Sequence, residues 1–158
     1  MLITHQESKK TVKILYTAKA TVQGGRNGQA QSSDGHLQVH LSVPKEMGGD
    51  GGQGTNPEQL FAAGYAACFQ SALEQVARRQ HVEAGPTTIT ANVGIGPTGQ
   101  GGFGLDVELH IFMPGVDKAT AEKLVELAHE VCPYSNATRG NIPVKLVVEE
   151  QPLVEENA

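Results

Sequence analysis

The chain has 158 residues, with 12 Lys+Arg against 17 Asp+Glu and a formal net charge of −5. A chain this long folds most simply as one domain, 1–158, and buries roughly two thirds of its unfolded surface, so it needs neither metal nor disulfide to hold a core. The acidic balance without any basic run argues against a nucleic-acid or anionic-membrane surface. The start, MLITHQESKKTVK, lacks a signal-peptide core, and no apolar stretch reaches the roughly 18 residues of a membrane span, which gives a cytoplasmic expectation.

Residues 1–13 form an extension ahead of KILYTAKATVQ and LQVHLSVP, two segments that alternate apolar and polar residues at the period of half-buried strands. Gly24-Gly25-Arg26-Asn27-Gly28 and Ser33-Asp34-Gly35 supply turns between strands, predicting an antiparallel meander. In the second segment Leu37, Val39, Leu41 and Val43 share one face, and His36 and His40 share the other.

After the glycine-rich GGDGGQGT, Asn56 is a good N-cap, Pro57 suits the first helical position and Gln59 can complete a capping box, predicting a helix to about Arg79. No charge lies between Glu58 and Glu74, so the first half of this helix is expected to be central and buried on every side, against a wrapping sheet or a second subunit. TTITANVGI and GLDVELHIFM then predict a hairpin-like pair around GPTGQGGFG. Asp117 caps a second helix whose apolar face is Ala121, Leu124, Val125, Ala128 and Val131, ending at Cys132 where Pro133 turns the chain out. A last strand, IPVKLVVEE, precedes an acidic end, 151–158, expected to fray. Hairpins dominate over βαβ crossovers in this order, so the fold class is α+β, with antiparallel sheets and two long helices.

Gly49, Gly51 and Gly54 fit GxGxxG ahead of a helix, but the strand that should precede a dinucleotide loop is several residues away. Glu74, about 20 residues on, lies inside a helix rather than ending a strand, so a mobile loop is the better reading and no bound cofactor is expected. Of the six histidines only His36 and His40 share a strand face, and four residues is too far along a strand for both to grip one ion easily, so surface histidines are the better reading and no metal is expected.

The two cysteines, Cys68 and Cys132, each lie in an apolar helical stretch, where a free cysteine is usually an inert small hydrophobe. In a reducing compartment a pair is more often catalytic or redox-sensing than structural. A buried thiol has a raised pKa and needs a cation to react as thiolate. Arg26, whose planar fork can hold a carboxylate such as Glu58 while facing a thiolate, suits that role as well as it suits a solvated turn.

The segments GGRNGQAQSSDGHLQVHLSVPKEMGG, GTNPEQLFAAGYAACF and VCPYSNATRGNIPV closely resemble the organic hydroperoxide resistance branch of the OsmC-like thiol peroxidases, over about Leu15 to Val148. The resemblance implies an intertwined homodimer that reduces alkyl or fatty-acyl hydroperoxides to alcohols and protects against oxidative stress. It places Cys68 on the peroxidatic and Cys132 on the resolving cysteine, joined by a disulfide during the cycle, and Arg26 and Glu58 on the pair that orients peroxide and stabilises thiolate. It implies an external dithiol, dihydrolipoamide on a lipoylated protein, as reductant. Phe61, Phe69 and Phe103 are candidates for the apolar substrate wall. On one straight helix Glu58 and Cys68 stand roughly 15 Å apart, so either the helix breaks or Glu58 of one subunit serves Cys68 of the other. The competing class is a lipid- or acyl-binding protein whose cysteines only pack or sense redox state.

Overall fold

Apolar side chains at alternate positions of three strands face each other across one sheet and decide where the main core forms. In the computed structural model, which describes Met1 and residues 11–153, β4 (Thr88–Pro97) and β5 (Phe103–Phe112) pair antiparallel. Ile89 then lies opposite Ile111, Ala91 opposite Leu109 and Val93 opposite Val107. A one-residue slip would turn all of these to the other face, so the pattern itself pins the register. β6 (Val144–Glu149) adds Val144, Leu146 and Val148 beside Val107, Leu109 and Ile111.

Two helices cover that apolar face. α1 (Pro57–Arg79) contributes Tyr65, Phe69, Ala72, Leu73, Val76 and Ala77, whose spacing keeps them on one side of a helix. α2 (Lys118–Val131) contributes Ala121, Leu124, Val125 and Ala128 to the same cluster. Both N-termini are capped as their sequences predict: the Asn56 side chain accepts from the Gln59 N–H at 2.8 Å, and Asp117 accepts from the Thr120 N–H at 3.0 Å.

These elements belong to the unit Asn56–Ala158; the unit Met1–Thr55 is separate in its internal contacts. There β1 (Ala20–Gln23), β2 (Gln29–Ser32) and β3 (Gln38–His40) form the expected antiparallel meander. At the first turn, a Cβ on Gly28 would sit 1.7 Å from the Gln23 carbonyl oxygen, so only glycine closes it. In the second turn Asp34 accepts from the Ser32 hydroxyl and the His36 N–H. The glycines of the GxGxxG pattern pack against the chain after β3. A Cβ on Gly54 would meet the Leu41 carbonyl carbon at 2.5 Å, and the Gly54 N–H donates to Ser42 Oγ. Close backbone packing is thus a sufficient reason for glycine there.

Several expectations need correction. β6 runs parallel to β5, so the second sheet is mixed rather than antiparallel and the chain between them is a crossover. The segment KILYTAKATVQ forms a strand only from Ala20, because β2 has just four residues to pair with β1. In the first half of α1, Ala63 and Ala67 are exposed, so that half is not buried on every side within the chain. Val131 is 37% exposed, and the core position at the end of α2 goes to Cys132. Pro133 ends α2 but also opens a short helix, α3 (Pro133–Thr138), that the sequence reading lacks. Most of the expected extension, 2–10, and most of the fraying end, 154–158, lie outside the described residues.

Candidate functional site

Cys68 projects from the flank of α1, one position from core-facing Phe69, and is half-buried. Cys132 is fully buried at the junction of α2 and α3, where its extended backbone (φ −61°, ψ 124°) lets it both end one helix and cap the next. The proline that breaks α2 thereby sets the direction of the Cys132 side chain. Its Sγ lies 3.6 Å from Cys68 Sγ, and both thiols are free.

The surroundings set the acidity of Cys68. Burial is the largest influence and pushes its thiol above the ordinary value, the Tyr134 backbone N–H beside it pulls the other way, and the Cys132 thiol pushes it up again. A thiol so placed is a poor nucleophile at neutral pH until another positive group faces it.

Tyr134, the second residue of α3, connects the thiols to an aromatic cluster. Its ring centroid lies 6.0 Å from Phe61 and 5.7 Å from Tyr65, and Phe61 meets Tyr65 edge-on at 6.1 Å. Gly64 makes this approach possible, since an added Cβ would meet Tyr134 Oη at 2.9 Å. A cleft of about 660 Å³ opens beside the cluster, walled by Phe61, Phe103, Leu105, Tyr134 and Ile142. Its size suits an alkyl or aryl ligand.

The structure therefore brings together Cys68 and Cys132, and separately gathers Phe61 and Phe103 on one cleft. Phe69 is a correction: it is fully buried in the core among the α1 and β5 side chains and does not reach the cleft wall. Arg26 is half-buried in the 3-10 turn Gly25–Asn27 of the first unit, and Glu58 is half-buried in the first turn of α1. α1 is continuous from Pro57 to Arg79, so within one chain Glu58 and Cys68 are separated by about 15 Å of helix. Among the described residues, no three or more His, Cys, Asp or Glu side chains gather as a metal site, and no helix is long and apolar enough to cross a membrane. Sequence reasoning missed Tyr134. The signal was present in Cys132-Pro133, since proline at a first helical position marks a start as well as a stop.

Residues 48–147 match the family model described as OsmC-like protein. The organic hydroperoxide resistance protein of Xanthomonas axonopodis pv. citri is 58% identical over 137 residues, covering 86% of this chain and 96% of that protein. Among solved structures, an organic hydroperoxide resistance protein from Elizabethkingia anophelis superposes with a TM-score of 0.84 at 54% identity, covering 89% of this chain and all of that one. The corresponding OhrB protein of Bacillus subtilis gives a TM-score of 0.79 at 46% identity over 86% of this chain and all of that one. With its thiol pair, its two-helix cover over a mixed sheet and these similarities, the chain belongs to the OsmC-like family, in the organic hydroperoxide resistance branch.

Proposed function

We propose that this protein is a thiol peroxidase that reduces organic hydroperoxides, with Cys68 as the attacking thiol and Cys132 as the resolving one. The observation that carries the reading is the 3.6 Å approach of two free thiols in a chain of this branch. Cys68 thiolate attacks the distal peroxide oxygen, the O–O bond breaks, and the alkoxide leaves and takes up a proton as alcohol. Cys68 sulfenic acid then condenses with Cys132, forming a disulfide and releasing water. An external dithiol opens the disulfide and is itself oxidised, so one hydroperoxide and one dithiol become one alcohol, one water and one cyclic disulfide.

Cys68 leads because it is the more exposed thiol and has the Tyr134 N–H beside it, whereas Cys132 is fully buried. Arg26 supplies the charge that counters burial of the Cys68 thiolate, with Glu58 holding its guanidinium in place. The cleft favours alkyl and aryl hydroperoxides over hydrogen peroxide, since each buried methylene adds about 0.8 kcal/mol. Phe61 and Phe103 are its proposed contacts. Dihydrolipoamide on a lipoylated protein is the proposed reductant, and a cycle that starts from free thiols fits a reducing compartment such as the cytoplasm.

A homodimer is part of this reading. Val12, Ile14, Leu15 and Tyr16 are 68–91% exposed, and Val22 is 53% exposed. Apolar side chains exposed in such number over one short stretch of chain are a feature of proteins that bury them against another chain. The unbroken α1 supports a site in which Glu58 of one subunit serves Cys68 of the other.

The test is repeated turnover of cumene hydroperoxide with dihydrolipoamide in excess, followed as alcohol produced per protein. Many turnovers, with a disulfide between Cys68 and Cys132 after one equivalent of hydroperoxide without reductant, are expected. Alcohol production that never exceeds background would overturn the peroxidase and leave a binding protein or redox sensor.

A further inference from the structure

Three hydroxyls that take no part in the thiol chemistry are buried where α1 meets α3. Tyr65 and Ser135 are fully buried and Thr138 is 5% exposed. Tyr65 Oη lies 2.8 Å from Ser135 Oγ and 3.1 Å from Thr138 Oγ1, and the Thr138 hydroxyl donates to the Ser135 carbonyl oxygen at 3.2 Å. One proton arrangement satisfies all three: Ser135 donates to Tyr65, Tyr65 to Thr138, and Thr138 to the Ser135 carbonyl. Phenylalanine would fill the ring volume at Tyr65 without burying a phenol, so the hydroxyl needs a reason beyond packing.

The reason lies in what α3 carries. Six residues form too few internal hydrogen bonds to hold a helix by themselves, so tertiary contacts must fix it. At its N-terminal end stand Cys132, its cap residue, and Tyr134, whose N–H faces the Cys68 thiol. Any tilt of α3 away from α1 moves both groups. The hydroxyl cycle ties the third and the last residues of α3 to one point on α1, and Gly64 seats the Tyr134 ring beside it.

We propose that the Tyr65–Ser135–Thr138 hydroxyl cycle is a positioning device for the resolving step, holding α3 so that Cys132 stays within reach of the sulfenic acid on Cys68. The inference rests on the peroxidase reading above. In that step the Cys132 sulfur attacks the Cys68 sulfur, the S–O bond breaks, and the hydroxyl leaves as water with the Cys132 proton. Sulfur atoms 3.6 Å apart must close to about 2.05 Å, so drift of α3 slows closure. A sulfenic acid left waiting meets a second hydroperoxide and becomes sulfinic acid, ending the cycle.

The experiment follows full-length Tyr65→Phe through one turnover with cumene hydroperoxide, quenched with an alkylating agent and resolved by mass spectrometry. Disulfide closure is expected to be about tenfold slower than in the unmodified protein, with Cys68 sulfinic acid accumulating under excess hydroperoxide, while alcohol release in the first step, which feels the shift of the Tyr134 N–H but not that of Cys132, slows by clearly less. Thr138→Val should behave likewise and Thr138→Ser, which keeps the hydroxyl, should restore closure. A merely structural role would lower the melting temperature without separating the two steps. Closure at the unmodified rate in both Tyr65→Phe and Thr138→Val would overturn the proposal, and if Tyr65→Phe does not fold, the Thr138 pair decides alone. Failure of the unmodified protein to release alcohol would instead remove the peroxidase reading, a different result.

Discussion

Cys68 Sγ and Cys132 Sγ lie 3.6 Å apart although 64 residues of chain separate them. Disulfide formation requires only about 1.6 Å of further approach, within the reach of side-chain rotation and a small helix shift. The two sites differ in access, Cys68 being half-buried and Cys132 fully buried. Cys68→Ser is therefore expected to abolish hydroperoxide reduction, while Cys132→Ser still releases about one alcohol per protein and stops at the sulfenic acid. Alcohol yield in a single turnover, with dimedone trapping, checks it; equal loss in both variants would reverse or remove the assignment.

Burial pushes the Cys68 thiol up and the Tyr134 N–H opposes it, and the proposed role of the Arg26 charge is to bring the thiol into its reactive range near neutral pH. Arg26→Ala is expected to move the pH midpoint of Cys68 alkylation upward, each unit corresponding to about 1.36 kcal/mol and a tenfold smaller thiolate fraction below the midpoint. The fold should survive. An unchanged midpoint would make Arg26 an ordinary turn residue.

Glu58 and Cys68 sit on one unbroken helix, and the proposed site draws them from different chains. Refolding Arg26→Ala/Glu58→Ala protein together with Cys68→Ser protein should restore activity that neither has alone. In a mixed dimer one site then holds an intact Cys68 facing the other chain's intact Glu58. Native mass spectrometry confirming mixed dimers without recovered activity would place both groups elsewhere.

Gly64→Ala sets two effects against each other. Alanine gains about 1 kcal/mol over glycine in a helix interior, but its Cβ would meet Tyr134 Oη at 2.9 Å. Tyr134 is 39% exposed, so its ring can swing out cheaply, and the net change in stability is expected to stay within about 1 kcal/mol. The cleft loses part of its wall. KM for cumene hydroperoxide should rise roughly tenfold, with little change for tert-butyl hydroperoxide; parallel changes for both substrates would mean that the ring does not contact substrate.

His129 on α2 supplies a pH dependence of stability. Burial lowers its pKa below the ordinary 6.5, the nearby Arg139 cation lowers it further, Glu130 partly offsets this, and its buried Nδ1 has no hydrogen-bond partner among the described residues. Unfolded protein then binds a proton that the folded protein refuses. The resulting stability is complete above pH 6.5 and is lost as pH falls below that value toward the folded-state pKa. Urea midpoints at pH 7.5 and 5.5 should show His129→Gln losing less than the unmodified protein; equal losses would shift the acid sensitivity to other groups.

By itself the sequence determined what local rules can encode. Asn56-Pro57 and Asp117 marked both long helices to within a residue or two, the period-2 alternation of β4 and β5 set their register, and the glycine turns around Arg26 located the meander. Its long family segments also pointed to Cys68 and Cys132. Tertiary structure alone decided the parallel pairing of β6 with β5, because an apolar strand pattern carries no direction and only the crossover through α2 and α3 sets it. The same holds for Phe69, which the sequence offers as equivalent to Phe61. A rotation of 100° per residue around α1 turns one toward the core and the other toward α3 and the cleft, and only the position of the sheet says which is which.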